Sequence, residues 1–412
     1  MAEPSVRTIT DDELGTYIDV VRTAFVEGSA SEEEVEARRP LTDIARSLGA
    51  YDEDGRMCGA ARAFGTQLTV PGGATVPCAA VTSVGVLPTH TRRGHLTRLM
   101  SAQLDDVAER GEPVAALIAA EYPIYGRYGY GPATEAVSLR IDTAAASWRD
   151  DAVGAVEIVD AETFAKIVEE LYDRVRVTIP GHIAWDTVMW RIHAGLEPSP
   201  WGHDEQAKKA TRVVWRDAGG EARAATSYQV DGTWERNRPA GKLTSERLVA
   251  ADGRAEIELL RYLTSIDWAS RVEVWLRPID EPAPLALVDG RAAHLADRSD
   301  HVWVRVVDVP AALAARTYAV EGSLVLEVAD PQGHGTGRFR LEAGVGGATC
   351  AATTDDADLT VPVGALGAAY LGGTGWARLA AAGWVDEHRA GAVERAAALF
   401  TSPRAPWCAM TF

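Results

Sequence analysis

Residues 81–97, Val-Thr-Ser-Val-Gly-Val-Leu-Pro-Thr-His-Thr-Arg-Arg-Gly-His-Leu-Thr, read as a strand, a short basic loop closed by glycine, and the opening of a helix. An α-helix starts with backbone N–H groups that lack intrahelical partners and with a positive partial charge, so this end accepts an anion. Acidic residues would stabilise it, yet Arg92, Arg93 and Arg98 crowd it, while Asp105, Asp106 and Glu109 sit toward the far end. Each charge set against the helix macrodipole costs about 0.3–1 kcal/mol at an exposed site. A basic collar on an already positive helix end fits a bound polyphosphate. A solvated loop is the plainer alternative.

Composition narrows the class. The 412 residues suffice for two to four domains, and 47% apolar with 24% charged residues is the balance of a globular protein. A net charge of −18 argues against a nucleic-acid-binding surface. That acidity either favours approach by cationic small molecules and basic peptides, or keeps a cytoplasmic protein in solution. Cys58, Cys78, Cys350 and Cys408 form no CxxC pair, and the nine histidines form no HExxH or Cys/His cluster. We therefore expect reduced thiols and no metal. Met1–Val20 lacks an apolar signal-peptide core, and no apolar run approaches 18 residues, so no membrane segment is expected.

Along the chain, Leu14, Ile18, Val21 and Phe25 form a helical stripe, and Ser31 with Glu34 is a capping box opening a second helix. Met57–Leu68 and Ala74–Val86 read as strands around a Pro71-Gly72-Gly73 turn. Val84 and Val86 share a parity that Val81 does not, as a bulge would produce. Leu96, Leu99, Met100, Leu104 and Val107 define a helix ending at Gly111, and Val114–Ala120 is a continuous apolar strand. A second strand–loop–helix, Arg247–Ala251 then Glu256–Leu263, has a loop without paired arginines and reads as a degenerate repeat. Farther on, Val302–Val307 and Ser323–Ala329 read as alternating strands, and Ala390–Phe400 as a helix. The tail ends in Trp407 and Phe412, too apolar to wave in water, so it should be docked.

Val84-Gly85-Val86-Leu87-Pro88, the Arg92-Arg93-Gly94 loop and the following helix resemble motif A of the GNAT acyl-CoA acetyltransferases. The block Ile124-Tyr125-Gly126-Arg127-Tyr128-Gly129-Tyr130-Gly131-Pro132-Ala133-Thr134 is similar to that of the Eis (enhanced intracellular survival) branch. This resemblance implies an α/β (α+β) chain: a GNAT domain over 1–146, a degenerate GNAT-like domain over 147–298, and a sterol-carrier-like domain over 299–412. It further implies acetyl-CoA as co-substrate, with the backbone of Val84, Gly85 and Val86 on its pantetheine arm. The N–H groups of Arg92, Arg93, Gly94, His95, Leu96 and Thr97 would cradle the pyrophosphate, and Ala120 and Glu121 would flank the thioester. Tyr125 matches the family's general acid, and the terminal carboxylate of Phe412 its general base. Phe25 and Glu27 fall where the family lines its amine pocket. The pattern departs at Thr91 (arginine is usual), at Leu96 (a second glycine in most GNAT proteins) and at Ala120 (often serine in the branch).

The implied activity is N-acetylation of a primary amine in an aminoglycoside-like compound or a lysine side chain, by a cytoplasmic homohexamer that binds neither nucleic acid nor membrane. The chemistry suits the residue types: a carboxylate takes a proton from the amine, and a phenol protonates the departing thiolate. Plainer readings remain beside these: Tyr125 as packing among Tyr122, Tyr128 and Tyr130, Glu27 as a surface glutamate, Phe412 as an ordinary terminus. A non-catalytic acyl-CoA or lipid binder is the rival function, and a different acyl-CoA donor in the same site is a third.

Overall fold

The computed structural model describes residues 5–199 and 204–412. Two units emerge: residues up to Ala133 with Val302–Ser402 and Phe412, and Thr134–His301 with Pro403–Thr411.

In the first unit a seven-stranded sheet has the order β1 (Ser5–Thr8), β2 (Ser47–Tyr51), β3 (Met57–Thr69), β4 (Thr75–Val86), β5 (Val114–Ile118), the strand Val302–Val306, and β6 (Gly131–Pro132). Only β4 and β5 run parallel, and a parallel pair needs a crossover, which the helix between them supplies. Side chains alternate along β3, so its two faces take different helices. Ala60 packs with Leu14, Tyr17, Ile18 and Val21 of α1 (Leu14–Ala24). Ala63 packs with Met100, Leu104 and Val107 of α3 (His95–Glu109). Between them α2 (Glu32–Arg38) opens on the expected capping box: Ser31 Oγ accepts from Glu34 N–H at 3.2 Å, and the Glu34 carboxylate accepts from Ser31 N–H at 2.8 Å.

Val302–Val306 departs from the expected alternating strand of the C-terminal region. It lies between β5 and β6 in the first sheet, and all five residues are buried. A strand covered on both faces shows no alternation. The C-terminal region adds a five-stranded sheet, in the order Gly347–Ala352, Gly337–Gly344, Gly322–Ala329, Leu359–Pro362, Asp386–Glu387. Its helix Val363–Ala369 approaches Val302–Val306 so closely that a Cβ on Gly367 would lie 2.2 Å from the Val304 carbonyl oxygen.

The second unit repeats the plan. Its sheet runs Ala293–Asp300, Glu135–Asp142, Ala269–Arg277, Gly241–Ala250, Ala222–Val230, Thr211–Arg216, Ala155–Ile158, and again one central pair, Gly241–Ala250 with Ala269–Arg277, is parallel. The helix Gly253–Thr264 makes that crossover. Its entrance is already filled: the Asp252 carboxylate accepts from Ala255 N–H at 2.9 Å and pairs with Arg223 at 2.5 Å. Glu135–Asp142, which precedes the expected boundary at 146, pairs within this second sheet, and Pro403–Thr411 belongs to this unit as well. No described helix is long and apolar enough to cross a membrane.

Candidate active site

The site begins where β4 leaves β5. Their pairing covers only Cys78–Val81 and Val114–Leu117, whereas β4 continues to Val86 on β3 alone. Among the described residues no strand pairs with the other edge of Thr82–Val86, which leaves backbone donors and acceptors for an added chain. A bulge redirects the strand. Thr82 faces Arg62 and Gly85 faces Ala60, so β4 takes one more residue than β3, and Ser83 adopts φ +55°. This is the parity break expected from Val81, Val84 and Val86.

From that edge the chain passes into α3. Arg92 (φ +63°) and Gly94 (φ +82°) bend the loop, and no side chain caps the helix at Gly94. Arg92, Arg93 and Arg98 are exposed, and no described carboxylate lies within 4 Å of them in an ion pair. Arg98 instead donates to the Arg93 carbonyl at 3.3 Å. His95 turns its ring into the core, 3.6 Å from Cys58 Sγ, where burial and then the Arg98 charge lower its pKa and keep it neutral. Leu96 packs half-buried on the core of α3. This helix start therefore offers backbone N–H groups and an arginine collar. A diphosphate fits both parts of it.

Tyr125 is buried in the core cluster that holds Val81 of β4 and Met100 and Leu104 of α3, with Val84 and Leu96 packed against it. The strand expected through Ala120 ends at Ile118, so Ala120 and Glu121 lie beyond it, exposed, where the chain turns into the short helix α4 (Tyr122–Tyr125) with Pro123 in its first turn. The Tyr125 ring meets Tyr130 edge-on with centroids 6.2 Å apart. Burial, helped by the Glu121 charge, pushes its phenol up to about 12, so it is protonated at neutral pH. Behind it, Arg305 Nε donates to the Tyr128 carbonyl at 2.8 Å and its guanidinium meets Asp330 at 2.6 Å, both side chains fully buried. Gly129 (φ +82°) leaves room for that guanidinium, since a Cβ would lie 2.8 Å from Arg305 Nε. Thr97 Oγ1 and Tyr128 Oη are 3.3 Å apart, which ties the tyrosine segment to α3.

Phe412 joins this unit through its ring, edge-on to Phe64 at 6.1 Å. Phe64 lies on β3 opposite Ala80 of β4, two residues along from Arg62 at the bulge. Phe25 ends the α1 stripe but stays exposed rather than joining the core. It lies beside the open edge: a Cβ on Gly85 would be 2.6 Å from Ala24 Cβ and 3.8 Å from the Phe25 ring. Glu27, also exposed, is 3.8 Å from Arg22, which hydrogen-bonds Glu34 at 2.9 Å. Reasoning from sequence passed over Phe64 and Arg305. A lone phenylalanine on a strand of small residues was a signal for the first; an arginine inside an apolar run was a signal for the second. Among the described residues no three His, Cys, Asp or Glu side chains gather as a metal site.

Comparisons with known proteins agree with this geometry. Residues 5–133 and 181–306 each match an acetyltransferase (GNAT) domain family, and residues 309–409 match a sterol carrier protein domain family. Fold and site together define a tandem GNAT acetyltransferase. An uncharacterized N-acetyltransferase of Streptomyces griseus subsp. griseus is 41% identical, over 99% of each chain. The N-acetyltransferase Eis of Mycobacterium tuberculosis is 36% identical over 74% of this chain and 73% of its own. The crystal structure of Eis1 from Mycobacterium abscessus superposes with a TM-score of 0.87 at 35% identity, covering 99% of this chain and 100% of that one. The chain belongs to the Eis family of GNAT N-acetyltransferases.

Proposed function

We propose that the protein transfers an acetyl group from acetyl-CoA directly to a primary amine, on an aminoglycoside-like small molecule or a lysine side chain. The observation that carries this reading is the free edge of Thr82–Val86 followed, after a 3-10 turn at Pro88–His90, by an uncapped, arginine-ringed helix start. Val84, Gly85 and Val86 would bind the pantetheine amides as an added strand, and the N–H groups from Arg92 to Thr97 the pyrophosphate. Bound there, acetyl-CoA supplies an activated acyl group on a good leaving thiolate.

The chain's own groups would move the protons. An amine arrives as an ammonium, and the Phe412 carboxylate, directly or through one water, removes the proton that blocks attack. As the N–C bond forms and the C–S bond breaks, Tyr125 gives its phenolic proton to the sulfur. Ala120 and Glu121 line the thioester side, while Phe25 and Glu27 contact the acceptor. By likeness to the family we place the enzyme in the cytoplasm as a homohexamer. The acyl donor is open to competition from propionyl- or malonyl-CoA in the same seat. The non-catalytic reading falls with membership in an enzyme family. One cavity of the C-terminal region, about 440 Å³, is lined by Arg340, Asp355, Asp358, Arg389 and Arg395, a charged lining that does not suit a lipid.

The test is an amine-panel acetylation screen with mass detection, repeated on a chain carrying several residues after Phe412. Turnover by the first chain and its loss in the second are expected. Full activity of the extended chain would remove Phe412 from the mechanism.

A further inference from the structure

In the five-stranded sheet, Leu324, Leu326 and Val328 of one strand and Phe339 and Leu341 of the next are buried on one face. Alternation puts Ser323 and Val325 on the other face, where Arg340 stands directly opposite Val325 in the antiparallel register. This second face is not open to water throughout, since Val325 is only 4% exposed. The stretches Asp355–Asp358 and Arg389–Arg395 border it and complete the cavity of about 440 Å³. A cavity of that size takes a small organic molecule rather than a bare ion.

One buried acid organises its charges. The Asp358 side chain is 4% exposed, and its Oδ1 lies 3.2 Å from both Arg389 Nε and Arg395 Nη2. Its Oδ2 accepts from Val325 N–H at 2.8 Å. A buried carboxylate persists only when paired, so Asp358 fixes both guanidiniums. One negative charge against two positive charges leaves a positive surplus. Contact with Asp358 engages Nε of Arg389 and Nη2 of Arg395, and both side chains stay partly exposed, with further donors to offer. Around Arg340 the balance is reversed. Its guanidinium is shared by Asp355 at 2.6 Å and Glu342 at 3.5 Å, and Asp356 adds an exposed carboxylate. Three arginines and three aspartates thus line the cavity without net charge, but not evenly. A simple anion meets the Asp356 charge, and a simple cation meets Arg389 and Arg395. A molecule carrying both signs satisfies both.

We propose that this cavity binds a small zwitterion, an α-amino acid or a molecule built like one. Its carboxylate sits on Arg389 and Arg395, whose forked donors match a pair of carboxylate oxygens, and its ammonium lies toward Asp355 and Asp356. Ser323 offers a hydroxyl from the floor. Neither acetyl-CoA nor an acceptor amine is needed for this binding.

The test titrates the full chain at fixed ionic strength with glycine, glutamine, acetate, methylammonium and inorganic phosphate, read by hydrogen exchange resolved along the sequence. At least one of the two amino acids should slow exchange saturably over 320–330 and 386–396. Acetate and methylammonium, even mixed, should do so about tenfold more weakly or less, because two charges on one molecule bind as a linked pair. Arg389→Gln leaves Arg395 on Asp358 and should weaken amino-acid binding about tenfold. Asp356→Asn, at an exposed side chain, should weaken the amino acid but strengthen acetate, since the repelling charge is gone. A merely structural role would move both ligands the same way. Asp356→Asn gives a result even where Arg389→Gln fails to fold. Absence of protection by either amino acid at millimolar concentration would overturn the proposal. So would acetate or phosphate binding as tightly as the amino acids, or protection that survives Arg389→Gln unchanged.

Discussion

Two side chains make opposite demands on protons. Tyr125 holds its proton to about pH 12 because burial penalises the phenolate. Tyr125→Phe should lower kcat about a hundredfold, the usual scale for a proton donor, with unchanged acetyl-CoA affinity by calorimetry. On the phenol's account the wild-type kcat should show no alkaline limb below about pH 10. A limb near pH 8 that disappears in the Phe variant would contradict this assignment. His182 does the reverse. It is buried against Tyr172, neither ring nitrogen has a hydrogen-bond partner among the described residues, and burial pushes its pKa down to about 3. The unfolded chain takes that proton near pH 6.5, so stability of the second unit falls as pH drops from about 6.5 toward 3, by up to about 1.4 kcal/mol per pH unit. His182→Phe keeps the ring stack and removes the titration. Urea melts should show it as stable as wild type at pH 7 and less sensitive to acid.

Elements explain which features were legible. Val81–Glu109 can be read directly because strand, loop and helix are each written in local pattern: a bulge parity, two left-handed positions and an apolar stripe of period 3.6. The tyrosine–glycine block is equally local. What escapes is pairing at long range. Val302–Val306 carries no mark of its partner β5, nearly 190 positions earlier, and its Val-Trp-Val-Arg-Val alternation reads as a half-exposed strand although all five residues are buried. The meeting of Phe64 and Phe412 is similarly invisible, since neither flanking segment encodes the other. Close approach of elements is testable at Gly85. An alanine there would place its Cβ 2.6 Å from Ala24 Cβ, forcing α1 away from β4. Such overpacking costs about 1–3 kcal/mol. Gly85→Ala should lower the denaturation midpoint and weaken CoA binding together. Weakened binding without lost stability would mean that α1 does not rest on that edge.

At the scale of the molecule, the first unit is assembled from distant stretches, and Arg305 with Asp330 shows how. The arginine comes from a strand of the first sheet and the aspartate from the C-terminal region, and each is fully buried. Removing one partner strands a charge in the interior, at about 3–5 kcal/mol. Asp330→Ala should destabilise the unit by that amount in chemical denaturation. Pairing it with Arg305→Leu should return part of the loss, because no lone charge then remains. Equal destabilisation in the single and double variants would show that Arg305 matters chiefly through its bond to the Tyr128 carbonyl.

Asp252 has a consequence for how the duplicated folds respond to ligand. The second crossover helix is permanently occupied by an acid from its own chain, itself neutralised by Arg223, whereas the first waits with Gly94 bare. One copy has internalised its guest; the other remains hospitable. Adding CoA should thus slow amide exchange along 82–97 and leave 246–256 untouched, an asymmetry written into two otherwise matching crossovers by a single carboxylate.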